Sequence, residues 1–174
     1  MKNKILINLA GFYFCWWISI YGAINERFYL GPFFLVLYMF IHFKYISFHK
    51  SEYLYITICF FLGLSIDSLL LNFGFIDYKG FLPENYNLSP LWAVTLWMCF
   101  GLSIFHSFRW IQKRYLTAML MGVISGPVIY YSCLSGNIIK FNYPLYQMLI
   151  AISLLWSIIL PLFVYIADDL LYEK

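Results

Sequence analysis

Charge is missing from long stretches of this chain, and that constrains it more than any other feature. Uncharged runs of about 17–25 residues recur along it, the length a helix needs to cross a bilayer core. Asp, Glu, Lys and Arg make up 11% of the 174 residues, while apolar types make up 63%. In hydrocarbon, backbone N–H and C=O groups have no water to bond, so an apolar run of this length pairs them within its own helix. The chain therefore reads as an all-α polytopic membrane protein, a six-transmembrane-helix bundle.

The expected spans are 5–24, 28–46, 53–73, 91–110, 115–134 and 145–166, within a single integral membrane domain covering 1–174. The longest connection, 74–89, is too short to fold alone. Ser89 is the expected cap of the fourth span, with Pro90 in its first turn, where proline costs little. Pro144 is expected to play the same part for the sixth. Lys2 and Lys4 before an apolar run resemble a signal peptide, but the run is longer than the usual h-region and no clear A-x-A site follows.

The cations give an orientation. Lys2, Lys4, Lys44, Lys50, Arg109, Lys113, Arg114 and Lys174 fall on one side of these spans, against Arg27, Lys79 and Lys140 on the other. The positive-inside rule then places both termini in the cytoplasm. The net charge of +3 thus reports topology, and no nucleic-acid partner is expected. Trp92 and Trp110 stand at opposite ends of the fourth span, where interfacial belts are expected. Cys15, Cys59, Cys99 and Cys133 stand singly in four spans without a CxxC pair, which suits buried reduced thiols.

The few polar residues inside the spans fall on stripes of helical period. Asn8, Cys15 and Ser19 share a face of the first span; Leu35, Tyr38 and His42 of the second; Thr95, Cys99, Ser103, His106 and Trp110 of the fourth. Such stripes let helices approach closely and hydrogen-bond. A carboxylate within a span costs about 2.5–3.5 kcal/mol on insertion scales, so Asp67 is expected to face the interior. A rise of about 1.5 Å per residue places it about 6 Å outside the midplane, near the depth of Tyr130, a natural hydrogen-bond partner. His106 falls about 8 Å on the cytoplasmic side, at the depth of His42. Two histidines at one depth can share a proton or a metal. No HxxxH or HExxH spacing supports a metal, so neither metal nor cofactor is expected. Asp67 and His106 come out about 14 Å apart along the normal, too far for a directly bonded pair.

Pro127 lies near the middle of the fifth span, within Gly122-x-x-x-Gly126-Pro127. It removes the bond to the Val123 carbonyl and bends the helix; Ser125 is the expected compensating group. Arg109, Lys113 and Arg114 beside Trp110 suit lipid phosphates as well as topology. The candidate functional interior is thus Asp67, His106, Trp110, Ser125, Gly126, Pro127, Tyr130 and His42.

These residues also carry a resemblance. The segments are Gly63-Leu-Ser-Ile-Asp67-Ser68, then Pro90-Leu-Trp92 with His106-Ser107-Phe-Arg-Trp110, then Ser125-Gly126-Pro127 with Tyr130. Together they resemble the bacterial membrane family called domain of unknown function 2878. Where that family often has paired glycines before the proline, this chain has Ser125-Gly126. The resemblance implies a small bacterial inner-membrane protein without an established activity. It also implies a genetic neighbourhood of lipid-modifying enzymes such as cyclopropane-fatty-acid synthase-like methyltransferases.

Three readings stay open at this stage. The first is a non-enzymatic protein that binds membrane lipid or assists lipid-modifying enzymes. The second is a small transporter or substrate-capture subunit, by its likeness in size to the membrane subunits of energy-coupling-factor transporters. The third is an intramembrane enzyme using His106 and Asp67. No nucleophile motif, phosphate loop or metal spacing favours the third.

Overall fold

In the computed structural model of the protein, the described residues are 2–47, 50–80 and 87–172. Lys174, one of the cations used for the orientation, lies outside them. The described residues form α1 (Lys2–Ile24), α2 (Leu30–Tyr45), α3 (Lys50–Asn72), α4 (Leu91–Ile104), α5 (Tyr115–Ser135) and α6 (Leu145–Tyr172), with two short strands, β1 (Ile76–Tyr78) and β2 (Ile139–Phe141). Helices α1, α3, α5 and α6 are long and apolar enough to cross a membrane. Helices α2 and α4 are apolar but shorter, with 16 and 14 residues.

Polar contacts sort the connections into two ends. Lys4 Nζ donates to the Ile46 carbonyl, Ser107 Oγ to the Ile5 carbonyl, and the Lys113 backbone N–H to Asp168. These join the start of α1, the α2–α3 and α4–α5 connections and the end of α6 at one end, the termini end. At the other, Glu26 pairs with Lys79, Gly136 lies beside Ile24, and β1 pairs with β2. The helices therefore run alternately up and down.

The strands were not expected. They pair antiparallel, Ile76 opposite Phe141 and Tyr78 opposite Ile139, and tie the α3–α4 connection to the α5–α6 connection. Glycine allows the entry: Gly74 adopts φ +70° while Phe75 N–H bonds the Leu70 carbonyl and Gly74 N–H the Leu71 carbonyl, a Schellman end to α3. The strand pair roofs the bundle, with Ile76, Tyr78, Ile138 and Ile139 buried there.

Three expectations need correction. The fourth span was expected to run to 110, but α4 ends at Ile104. The Ser103 carbonyl takes the N–H of both His106 and Phe108, which curls the chain into a tight turn followed by a 3-10 turn at Arg109–Ile111. Ser107 pins that turn to α1 through a 2.6 Å bond to Asn8 Oδ1. Ser89 does not cap α4: its N–H donates to Ser68 Oγ, and Pro90 is the boundary residue. Trp92 is not an interfacial anchor; it is buried beside the strand pair, donating from Nε1 to the Lys79 carbonyl.

The most extensive helix pairing is α5 against α6. Gly122 and Gly126 make it possible, because a Cβ at either would run into the Trp156 carbonyl or its indole. Gly63 gives Trp97 the same room on α3. Trp97 and Trp156 stack with ring centroids 5.1 Å apart at the centre of the core. All four cysteines are buried and free, as expected. The outward faces carry exposed Leu, Ile, Phe and Tyr, the surface a bilayer solvates.

Candidate functional site

Two buried polar groups and one apolar groove stand out inside the bundle. The first group surrounds Asp67 on α3. Oδ1 accepts from the Tyr130 hydroxyl at 2.7 Å and the Tyr78 hydroxyl at 2.9 Å, and Oδ2 accepts from Trp97 Nε1 at 2.8 Å. The Tyr130 partner was legible from depth; Tyr78 and Trp97 were not. Tyr78 arrives only because the β1–β2 register turns it inward. Burial pushes its phenol well above its ordinary value, and the Asp67 carboxyl beside it adds to the rise, so Tyr78 remains a donor. A small cavity of about 50 Å³ adjoins this group, lined by Asp67, Tyr130 and both stacked tryptophans among others.

The second group lies near the termini end and joins three helices. Glu52, in the first turn of α3, receives both histidines on one oxygen: His42 Nε2 of α2 at 2.8 Å and His106 Nε2, just past α4, at 3.1 Å. With the carboxylate accepting, each Nε2 carries a proton. His42 is fully buried, while 18% of the His106 side chain is exposed. Asn8 supports the group from α1. Its amide donates to the Tyr38 hydroxyl and the Leu102 carbonyl, each at 2.9 Å, and its Nδ2 lies 3.4 Å from His42 Nδ1. The equal depth of His42 and His106 was readable from residue counting. Glu52 was missed, although an acid at the same depth in a chain with only eight was a signal.

The two groups stay apart. Among the described residues no hydrogen bond joins them, and Asp67 and His106 share no partner.

The groove lies among α1, α4, α5 and α6. It encloses about 320 Å³ and is lined almost wholly by apolar side chains, including Trp16, Phe108, Met121, Val128 and Trp156, with Ser125 as its hydroxyl. Exposed Tyr13, Trp17 and Val128 also line it, so it opens on the apolar outer surface of the bundle. Ser125 Oγ and Trp156 Nε1 are buried without a hydrogen-bond partner among the described residues. The expected compensation by Ser125 is therefore not made. Ser153 of α6 takes that part, donating to the Val123 carbonyl that Pro127 leaves free.

The remaining sequence candidates divide. Gly126 and Tyr130 are buried and Pro127 half-buried inside an unbroken α5. Trp110, 51% exposed, and exposed Arg109, Lys113 and Arg114 ring the termini end. Asp168 was not singled out; its Oδ2 fastens the Lys113 N–H and the Tyr115 hydroxyl.

No curated protein and no solved structure matches the chain. The sequence model of one family does, over residues 5–162, nearly the whole length. The chain therefore belongs to the family described as a protein of unknown function, DUF2878.

Proposed function

We propose that this is a non-enzymatic inner-membrane protein that binds a lipid acyl chain in the groove and works beside lipid-modifying enzymes. The observation that carries this reading is the groove itself. It is apolar and opens toward the bilayer, and two of its lining residues, Ser125 and Trp156, keep a buried polar atom without a partner, Oγ and Nε1. A buried donor left unpaired costs about 1–3 kcal/mol. A lipid whose ester, carboxyl or hydroxyl oxygen draws either side chain to turn toward it removes that penalty while the chain fills apolar volume. Its size is in the range of ligand-binding cavities, about 300–1,000 Å³.

In this reading all six helices cross the membrane and both termini lie in the cytoplasm. The cationic termini end, with Arg109, Lys113, Arg114 and Trp110, then sits at headgroup level, within reach of soluble enzymes acting on lipid. Reporter fusions at Asn25 and Asn137 should report the periplasm; a cytoplasmic signal at either overturns the topology.

Lipid mass spectrometry on the purified protein tests the groove. Wild type should carry a defined lipid, and Val128→Trp, which fills the groove from its exposed side, should lose it severalfold while remaining folded. Equal lipid in both would refute the site. Deleting the gene should change the modified fatty acids of the membrane. An unchanged lipid profile would remove the link to lipid-modifying enzymes.

A further inference from the structure

The groove leaves the His42–Glu52–His106 group without a use. Two imidazoles, one on α2 and one in the turn after α4, converge on a single carboxylate oxygen of Glu52. Each residue presents one ligand atom, and all three atoms lie within 4.8 Å of one another. Two edges of this triangle, 2.8 and 3.1 Å, are hydrogen-bond lengths. A four-coordinate zinc ion holds nitrogen and oxygen ligands at about 2.0–2.2 Å, which separates them by about 3.3 Å. The triangle therefore needs to widen by only a few tenths of an ångström along those edges.

We propose that His42 Nε2, His106 Nε2 and Glu52 Oε2 form a binding site for a divalent transition metal of the zinc class at the termini end of the bundle. Two imidazoles and one carboxylate are a borderline-soft donor set that suits zinc. Three protein ligands leave a fourth position for water or another ligand, and the exposed edge of His106 gives access to it. The helices supply the rigidity: His42 and Glu52 are held on α2 and α3, and the turn after His106 is pinned to α1 through the Ser107 hydroxyl on the Ile5 carbonyl. Loading shifts the His42 proton from Nε2 to Nδ1, which lies 3.4 Å from Asn8 Nδ2, so the Asn8 amide must turn its oxygen there and exchange its present bonds to Ser107, Tyr38 and Leu102. The site is independent of the groove, and either can fail without the other.

The test uses the full-length protein in detergent or nanodiscs with any affinity tag removed. Zn²⁺ is supplied at equilibrium and bound metal is counted by elemental analysis, with a chromophoric chelator as competitor. One zinc per chain is expected, together with a higher unfolding temperature, because the ion ties α2, α3 and α4. Loss of a supporting partner around a metal ligand weakens affinity about 10–100-fold, so removing a ligand outright should do more. Glu52→Gln and His106→Ala should each do so. His106 is the least buried member, so its variant is expected to fold even where one at His42 does not. Co²⁺ in place of zinc should give the intense visible absorption of a four-coordinate ion, absent in His106→Ala. Substoichiometric zinc in wild type, or equal binding by wild type and His106→Ala, overturns the proposal.

Discussion

The hydroxyl of Ser153 on α6 donates at 2.8 Å to the Val123 carbonyl on α5, the acceptor that Pro127 cannot serve. A proline four residues on removes one rung of the helix ladder, and in an apolar setting the orphaned carbonyl needs a partner. The neighbouring helix supplies it, so a local defect of α5 becomes a link between helices.

Ser153→Ala should destabilise the protein by about 0.6–1.7 kcal/mol, the range of interhelical hydrogen bonds in membranes. In a Pro127→Ala background, residue 127 regains its N–H and the same change should cost less. Reversible unfolding in mixed detergent micelles measures all four proteins. Equal losses in both backgrounds would show that the bond does not compensate for the proline.

Asp67→Asn keeps a side chain of the same size that can still hydrogen-bond, which by itself suggests tolerance. The geometry predicts otherwise. All three neighbours are donors, so an amide that keeps its oxygen on the tyrosines turns its NH₂ against Trp97 Nε1. The expected loss is about 1–3 kcal/mol, that of a buried donor without an acceptor. Adding Trp97→Phe to the Asp67→Asn variant removes the conflict and should recover part of the loss. Additive losses in the double variant would place the cost elsewhere.

Gly122→Ala should be more damaging than Gly126→Ala. A Cβ at 122 meets the backbone carbonyl of Trp156, which cannot swing away, whereas one at 126 meets the indole. Overpacking of this kind costs about 1–3 kcal/mol. Thermal unfolding of the two variants ranks them, and the reverse order would show that α6 shifts more readily than its tryptophan turns.

Tyr78→Phe should weaken the Asp67 group without opening the helices. It removes one of two hydroxyls on Oδ1 and leaves Tyr130 in place. A loss of about 1 kcal/mol is expected, near that of a single hydrogen bond. Hydrogen exchange should rise in the β1–β2 strand pair, which Tyr78 tethers to α3, before it rises in the helices. Uniform exchange across the bundle would contradict a local tether.

The apolar runs determined the six helices by themselves, because a backbone without water must satisfy its own hydrogen bonds. Period and rise placed His42 level with His106, and Tyr130 level with Asp67, because a straight helix converts residue number into depth. Rotation about each helix axis and the order of helix neighbours are not functions of residue number. Packing decided those: Gly122 and Gly126 brought α6 onto α5, and with it Ser153, not Ser125, onto the free carbonyl. The same holds for Glu52, joined to His106 across 54 positions, and for Tyr78, turned onto Asp67 by a strand register set between two distant connections. Tight turns after Ser103 ended α4 six residues before the end of the expected span, because polar side chains there found partners on α1 that a longer helix would have carried past them.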